Sequence, residues 1–187
     1  DPLQGGTTPS YGTLQYALEH ISIPVFPMIR PRGGNFIYDK HELEIMKKDI
    51  VLCREMGFEG IATGILKANG VTDIENLKQI VSWAHPMKVT CHKAFDSTPD
   101  VFVALEDIIN TGCTRILTSG GRKTAIEGSS ILAELINLAN GRIIIMPGGG
   151  IRSTNIAELA KSTGANEFHS SALINRGSNH IADGDEV

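Results

Sequence analysis

Short apolar runs alternate with amphipathic helical patterns along most of the chain. The runs begin 24 to 37 residues apart, an interval that fits one strand, one helix and two loops. Strands that alternate with helices predict a parallel sheet with right-handed crossover connections. The six predicted strands are "IPVFPMI" (23–29), "GIATGIL" (60–66), "KVTCHKAF" (88–95), "RILTSG" (115–120), "RIIIMPGGG" (142–150) and "NEFHSSA" (166–172).

Two architectures fit this alternation: a doubly wound sheet with helices on both faces, and a (β/α) barrel with one outer ring of helices. The even spacing and the absence of a GxGxxG motif after the first run favour the barrel. A TIM (β/α)8 barrel has eight strands, so we predict an α/β barrel that is incomplete in this chain. We expect one barrel domain over 1–172 and a polar, mobile tail over 173–187.

The helical segments carry their own start signals. Asp39 and Glu42 form a capping-box pattern before the helix that follows the first predicted strand. Thr72 with Glu75, three positions later, predicts the start of the next helix. Thr98, which precedes a proline, predicts the start of the helix after that.

Composition and charge place few further constraints on function. The chain has 187 residues, of which 41% are hydrophobic and 20% are charged, as in an ordinary soluble domain. A net charge of −4 predicts no general attraction for nucleic acid or an acidic membrane surface. Cys53, Cys91 and Cys113 form no CxxC pair, which indicates a reducing compartment rather than a disulfide framework.

Polar residues and glycines gather directly after the predicted strands and not before them. In a parallel barrel all the carboxyl ends of the strands meet at one face, where active sites lie. We call this predicted face the mouth. Its candidate residues, in chain order, are Arg30, Arg32, Cys91, His92, Asp96, Ser119, Gly148, Gly149, Gly150, Glu167, His169 and Ser170.

Several of these residues suit the binding of an anion. Arg30 and Arg32 can hold a small anion, or one or both can form ion pairs with mouth carboxylates. Glycines 148–150 can turn the backbone sharply and present N–H groups beside a helix N-terminus, although a tight turn without a ligand has the same pattern. Ser119 and Ser170 are candidate hydroxyl contacts for the same anion.

Two histidines are candidates for proton transfer. His92 and His169 each lie near a strand end, where either can act as general acid or base with Asp96 as orienter, or be a hydrogen-bonded core residue. Cys91, His92 and His169 are weak candidates for a soft metal. Cys91 and His92 are neighbours and would face opposite sides of a strand, so they could share a metal only if the backbone bent.

Several motifs together resemble the CutC family, known as copper homeostasis proteins. They run in the family's order over nearly the whole chain. The resemblance implies a TIM barrel, a cytoplasmic protein, copper handling with Cu(I) bound in some members, and self-association. The matching motifs are "GGTTPS" (5–10), "PVFPMIRPRGGNFIY" (24–38), "HKAFD" (92–96), "ILTSGG" (116–121), "GRIIIMPGGGI" (141–151) and "GANEFHSSA" (164–172).

The resemblance has departures. It implies that the family's first strand, first helix and second strand, which carry the cysteines proposed to hold Cu(I), are not in this chain. Cys91 stands where the motif more often has an aromatic residue, and Lys93 replaces a common arginine. Cu(I) prefers thiolates and thioethers. The mouth residues of this chain therefore predict a small-anion pocket rather than a soft-metal site.

Three functional hypotheses follow. The first is a CutC-like copper homeostasis protein with copper as its cofactor and with self-association into a homo-oligomer. The second is an enzyme that acts on a small phosphorylated or carboxylated metabolite at the mouth. The third is an incomplete barrel whose two open sheet edges aggregate or pair with another chain. A monodisperse, cooperatively melting monomer would count against the third.

Overall fold

A parallel four-stranded sheet forms the centre of the protein. The computed structural model describes residues 5–171. The sheet order is the chain order, and every neighbouring pair of strands is parallel, which confirms the predicted α/β barrel-type topology. The strands are β1 (Gly60–Thr63), β2 (Lys88–Cys91), β3 (Arg115–Thr118) and β4 (Ile144–Pro147).

The first and last predicted strands are each reduced to a single parallel bridge. Met28 bridges to Ala62 at the β1 edge, and His169 bridges to Gly148 beyond β4. Pro24 and Pro27 have no N–H to donate, which limits the ladder that the first segment can form. Six segments therefore follow one another in barrel order, and four of them are regular strands.

Within residues 5–171 the structure has six α-helices and one 3-10 helix, of which α1 precedes the first segment and the others connect the segments. The predicted capping box is present, since Asp39 accepts from the backbone of Glu42 while the Glu42 carboxylate accepts from the N–H of Asp39. Ile61 of the sheet and Leu77 of a helix are fully buried in one apolar core. The helices are α1 (Tyr11–His20), α2 (Lys40–Glu55), α3 (Ile74–Ala84), the 3-10 helix (Lys93–Ser97), α4 (Val101–Ile109), α5 (Ser129–Ala139) and α6 (Ile156–Thr163).

Helices α3 and α4 begin later than the sequence predicts. Asp73, not Thr72, caps α3, and Asp100 caps α4 two residues after Thr98. The reason lies in the segment before α4. The predicted strand over 88–95 ends at residue 91, and the 3-10 helix that follows has Thr98 as its C-cap. Thr98 therefore closes one helix and cannot open the next.

Within residues 5–171, no helix is long and apolar enough to cross a bilayer. The predicted tail over 173–187 lies outside the described residues.

Candidate functional site

A cavity of about 340 Å³ lies against the inner face of the sheet. Most of its lining is apolar, apart from Thr90 of β2 and four ionisable side chains that border it where their segments leave the sheet. These are Arg30, His92, Lys93 and His169. Among the lining residues that the structure describes there is no Asp, Glu or Cys. The cavity therefore has an apolar body and a cationic end.

Arg30 is a buried arginine whose guanidinium is held by backbone carbonyls. Its two terminal nitrogens donate to the carbonyl oxygens of Gly6 (2.9 Å) and Gly34 (2.7 Å), and its side chain is among the least exposed charged groups of the chain. The guanidinium also lies over the ring of Phe36, 5.0 Å from its centroid. These contacts fix a positive charge at the edge of the cavity.

Arg32, two residues later, lies elsewhere. Its Nε donates to the carboxylate of Glu42 at 2.5 Å, and one terminal nitrogen donates to the carbonyl of Ile37 at 2.8 Å. Its guanidinium is also close to the ring of Tyr38. Of the two arginines, the structure brings Arg30 to the cavity and places Arg32 in an ion pair that fastens the loop to the start of α2.

His92 follows β2 directly, and its ring is fixed by the backbone. It caps the 3-10 helix, with Nδ1 accepting a hydrogen bond from the N–H of Ala94 at 3.1 Å. Because Nδ1 accepts, the proton of the neutral ring lies on Nε2. Nε2 is buried and has no hydrogen-bond partner within residues 5–171. Burial, reinforced by the charge of nearby Arg30, lowers the pKa of His92 to about 4, so the ring is neutral at pH 7.

Two neighbours that sequence reasoning missed hold this ring in place. The His92 ring packs against Phe36 with 4.9 Å between centroids. Gly64, just beyond β1, touches its other side, since a Cβ built there would lie 2.6 Å from Nδ1. Gly64, the glycine in "IATG", indicates from the sequence that another group approaches the chain closely there. That this group is His92 follows only from the pairing of β1 with β2.

His169 lies at the open edge of the same cavity. Its backbone N–H donates to the carbonyl of Pro147 at 2.8 Å, and its side chain is exposed. Burial of part of the ring, and the nearby charge of Lys93, lower the pKa of His169. The next residue, Ser170, donates its hydroxyl to the carbonyl of Ile151 at 2.8 Å, which fastens this segment to the loop after β4.

Asp96 anchors the loop that follows β3. Its carboxylate accepts hydrogen bonds from the Thr118 hydroxyl, from the N–H of Gly121 at 2.9 Å and from both the N–H and hydroxyl of Ser119. Lys93 adds an ion pair at 3.0 Å. Asp96 therefore joins the 3-10 helix to the neighbouring strand end, a structural arrangement rather than the support of a histidine.

Ser119 belongs to the same network and not to the cavity. It is fully buried, and its hydroxyl oxygen accepts from Lys93 Nζ at 2.7 Å. In the described part of the chain, the predicted orienting contact from Asp96 is not formed at His92, whose Nδ1 is engaged by the backbone of Ala94. Lys93, which was not singled out from the sequence as a site residue, is the side chain that reaches both the network and the cavity.

The three glycines after β4 give the loop its path. A Cβ on Gly148 would lie 2.4 Å from the Leu117 side chain, and Gly149 and Gly150 have φ values of +107° and +74°. The N–H groups of Gly149 and Gly150 have no acceptor within residues 5–171. Lys93 Nζ lies near Gly149, 3.5 Å from a Cβ built there.

Glu167 is part of a second ion pair. Its carboxylate accepts two hydrogen bonds from the guanidinium of Arg115, at 2.6 and 3.1 Å. Arg115 is the first residue of β3, so this pair lies toward the amino ends of the strands. The structure therefore separates Glu167 from the cationic end of the cavity.

The thiols are all buried and are poor metal ligands as they stand. Burial raises the pKa of Cys53 and of Cys113 to about 11, and raises the pKa of Cys91 well above its usual value. A thiol must lose its proton to bind a metal tightly. Within residues 5–171 there is no group of three or more His, Cys, Asp or Glu side chains that could hold a metal ion.

The fold and the cavity define a parallel α/β barrel-type protein with a cationic pocket at the carboxyl ends of its strands. The chain belongs to the CutC family, whose family model matches residues 1–174. A CutC protein of Parabacteroides distasonis is 47% identical over 170 residues, which cover 90% of this chain and 70% of that protein. The copper homeostasis protein cutC homolog of Mus musculus is 46% identical over 94% of this chain and 65% of its own length.

A solved structure supports the fold in detail. A CutC protein from Streptococcus agalactiae is 36% identical, with a TM-score of 0.86 over 89% of this chain and 83% of its own. An aldolase called QR15 has a TM-score of 0.61 at 17% identity, over 84% of this chain and 72% of its own, and this likeness concerns the fold alone. The chain spans less than two thirds of the Homo sapiens homolog, 64% of its length.

Proposed function

We propose that this protein takes part in copper homeostasis in the cytoplasm, with Cu(I) as its cargo. The observation that carries the proposal is membership of the CutC family together with the names of relatives from mouse and human, which are copper homeostasis protein cutC homologs. Self-association into a homo-oligomer stays a prediction and is compatible with sheet edges that are covered only by the single bridges at Met28 and His169.

Among the three metal candidates from the sequence, His169 is the one best placed to touch Cu(I). Cys91 is a buried thiol with a raised pKa, so it stays protonated at neutral pH. His92 carries its ring proton on Nε2, the nitrogen left by the Ala94 bond, and therefore offers a donor rather than a lone pair. His169 is exposed and has a lowered pKa, so a neutral nitrogen is available to a soft cation.

Copper tolerance of a bacterium whose own relative has been deleted tests this role. We expect expression of the chain to restore tolerance, and the double variant Cys91→Ala/Cys113→Ala to restore it equally, because buried protonated thiols take no part. With His169→Ala, copper tolerance should fall toward that of cells carrying the empty vector. Failure of the unaltered chain at equal expression would contradict the copper role, and loss in the cysteine variant would assign the cargo to the thiols.

A second candidate function is binding of a small anion in the cavity. The observation that favours it is the Nε2–H of His92, a buried donor that has no acceptor among the described residues and that lies in the same lining as the cationic Arg30 and Lys93. A buried polar group without a partner is uncommon and destabilising, so a bound acceptor is the natural complement.

Titration with inorganic phosphate, followed by the NMR signals of the His92 ring, tests the anion site. We expect saturable shifts with a dissociation constant of about 1 mM or below. Lys93→Met should weaken binding, because it removes one cation from the rim, whereas Lys67→Met, at an exposed lysine that does not line the cavity, should not. Shifts that rise linearly without saturation would contradict a specific anion site.

The geometry favours binding over catalysis. A general base at neutral pH needs a pKa near 7, and the pKa of His92 lies near 4. The Asp96 carboxylate accepts hydrogen bonds from the loop after β3, so it is not available to orient a histidine. The hypothesis of an enzyme acting on a metabolite is therefore less well supported than the copper homeostasis role.

A further inference from the structure

We infer that the cavity binds a small organic acid with an apolar body, whose carboxylate accepts a hydrogen bond from His92 Nε2–H. The inference rests on the anion-binding role proposed above and narrows its ligand to one chemical class. Its elements are a fixed hydrogen-bond donor, a cationic rim and apolar walls, all within one cavity.

His92 selects an acceptor and rejects a metal cation. The bond from the Ala94 N–H fixes Nδ1 as an acceptor, so Nε2 must carry the proton of the neutral ring. Phe36 and Gly64 pack against the ring, and turning it over would put the carbon Cδ2 in place of Nδ1 and lose the bond from Ala94. The residue is 3% exposed and nothing within residues 5–171 accepts from Nε2, so the acceptor that we infer comes from a bound ligand.

The charge at this end of the cavity favours an anionic oxygen over a neutral one. Arg30 and Lys93 both border the cavity, and the lining contains no carboxylate among the described residues. The Arg30 guanidinium is held by the carbonyls of Gly6 and Gly34, so it acts on a ligand through its field rather than by a movable fork. A carboxylate beside His92 therefore gains electrostatic stabilisation that an amide lacks.

The walls favour an apolar body behind the acid group. Phe26, Met28, Leu117 and Met146 line the cavity, whose volume of about 340 Å³ suits a ligand of the size of a substituted benzene ring. Inorganic phosphate would fill the cationic end and leave these side chains in contact with water.

Fluorine NMR with 4-fluorobenzoate tests the inference on the chain as it is. We expect 4-fluorobenzoate to bind at least about tenfold more tightly than 4-fluorobenzamide, because the two probes share shape and differ in charge. In the same experiment the Nε2–H proton signal of His92 should move downfield as 4-fluorobenzoate is added, since its hydrogen bond forms on binding. This second readout needs no variant.

His92→Phe should weaken 4-fluorobenzoate binding by about tenfold, whereas His41→Phe on the exposed surface of α2 should leave it unchanged. If His92→Phe does not fold, the shift of the Nε2–H proton signal in the unaltered protein tests whether His92 contacts the ligand. Saturable phosphate binding without any 4-fluorobenzoate binding would overturn the organic-acid inference and keep the anion site. If neither phosphate nor 4-fluorobenzoate binds, both the anion site and the organic-acid inference are wrong. Equal affinity for the amide would overturn the role of charge.

Discussion

Asp96→Ala is expected to lower the free energy of unfolding by about 3–5 kcal/mol, a large effect for a polar residue at a loop. The Asp96 carboxylate is 9% exposed, and it accepts bonds from Ser119, Gly121 and the Thr118 hydroxyl while it pairs with Lys93. Alanine would remove every acceptor at once. The buried donors Thr118 and Ser119 would then lose their shared acceptor, whereas Lys93, whose side chain is 43% exposed, would keep its bond to Ser119.

Urea unfolding at pH 7 measures this effect, and Asp100→Ala is the matched control. Asp100 also accepts from two backbone N–H groups, those of Phe102 and Val103, but it is an exposed cap of α4. Loss of such a cap costs about 1 kcal/mol. If Asp96→Ala lowers the free energy of unfolding no more than Asp100→Ala does, the hydrogen bonds of Asp96 do not stabilise the fold as we expect. Asp96→Asn should lie between them, because it keeps one acceptor oxygen.

The order of strands and helices followed from local signals that act over a few residues. Apolar runs of six to nine residues and the helical patterns between them predicted β1 to β4 and the connecting helices, although only the cap of α2 was placed correctly. The outer segments were predicted less well because a strand needs a partner with a continuous ladder. At Met28 and His169 the described structure contains a single bridge each, a long-range property that no local pattern specifies.

The two arginines show where site prediction from sequence stops. Arg30 and Arg32 follow the same predicted strand and have the same chemistry. The sequence therefore predicted the same two roles for each, anion binding or an ion pair. The partner of Arg32 is Glu42, which was visible as a capping residue but not as an ion-pair partner. The partners of Arg30 are carbonyls of Gly6 and Gly34, which carry no side-chain signal at all.

His92 shows the same limit in a different property. Its place after a strand predicted a site residue, and an ordinary pKa near neutrality made it a candidate for proton transfer. Burial of the ring changes that chemistry, since a charged imidazole cannot keep its hydration there. The contacts with Phe36 and Gly64 come from segments 56 and 28 residues away, and they exist only because β1 and β2 are neighbours.

His92 should make the protein less stable as the pH falls from about 6.5 to 4. The pKa of the ring is about 4 in the folded state and 6.5 in the unfolded chain, so the unfolded chain binds more protons in this window. Stability therefore falls as pH falls. At pH 4 the loss attributable to His92 is about 3 kcal/mol, an order-of-magnitude figure obtained from the two pKa values.

The comparison of the unaltered protein with His92→Gln isolates this contribution. Glutamine does not titrate, so the free energy of unfolding, measured by urea at pH 7 and pH 4, should fall less for the variant. The lowered pKa of His169 acts in the same direction and the raised pKa of Asp49 in the opposite one, but both remain in the variant. Equal losses in the two proteins would mean that His92 is not buried as a neutral ring.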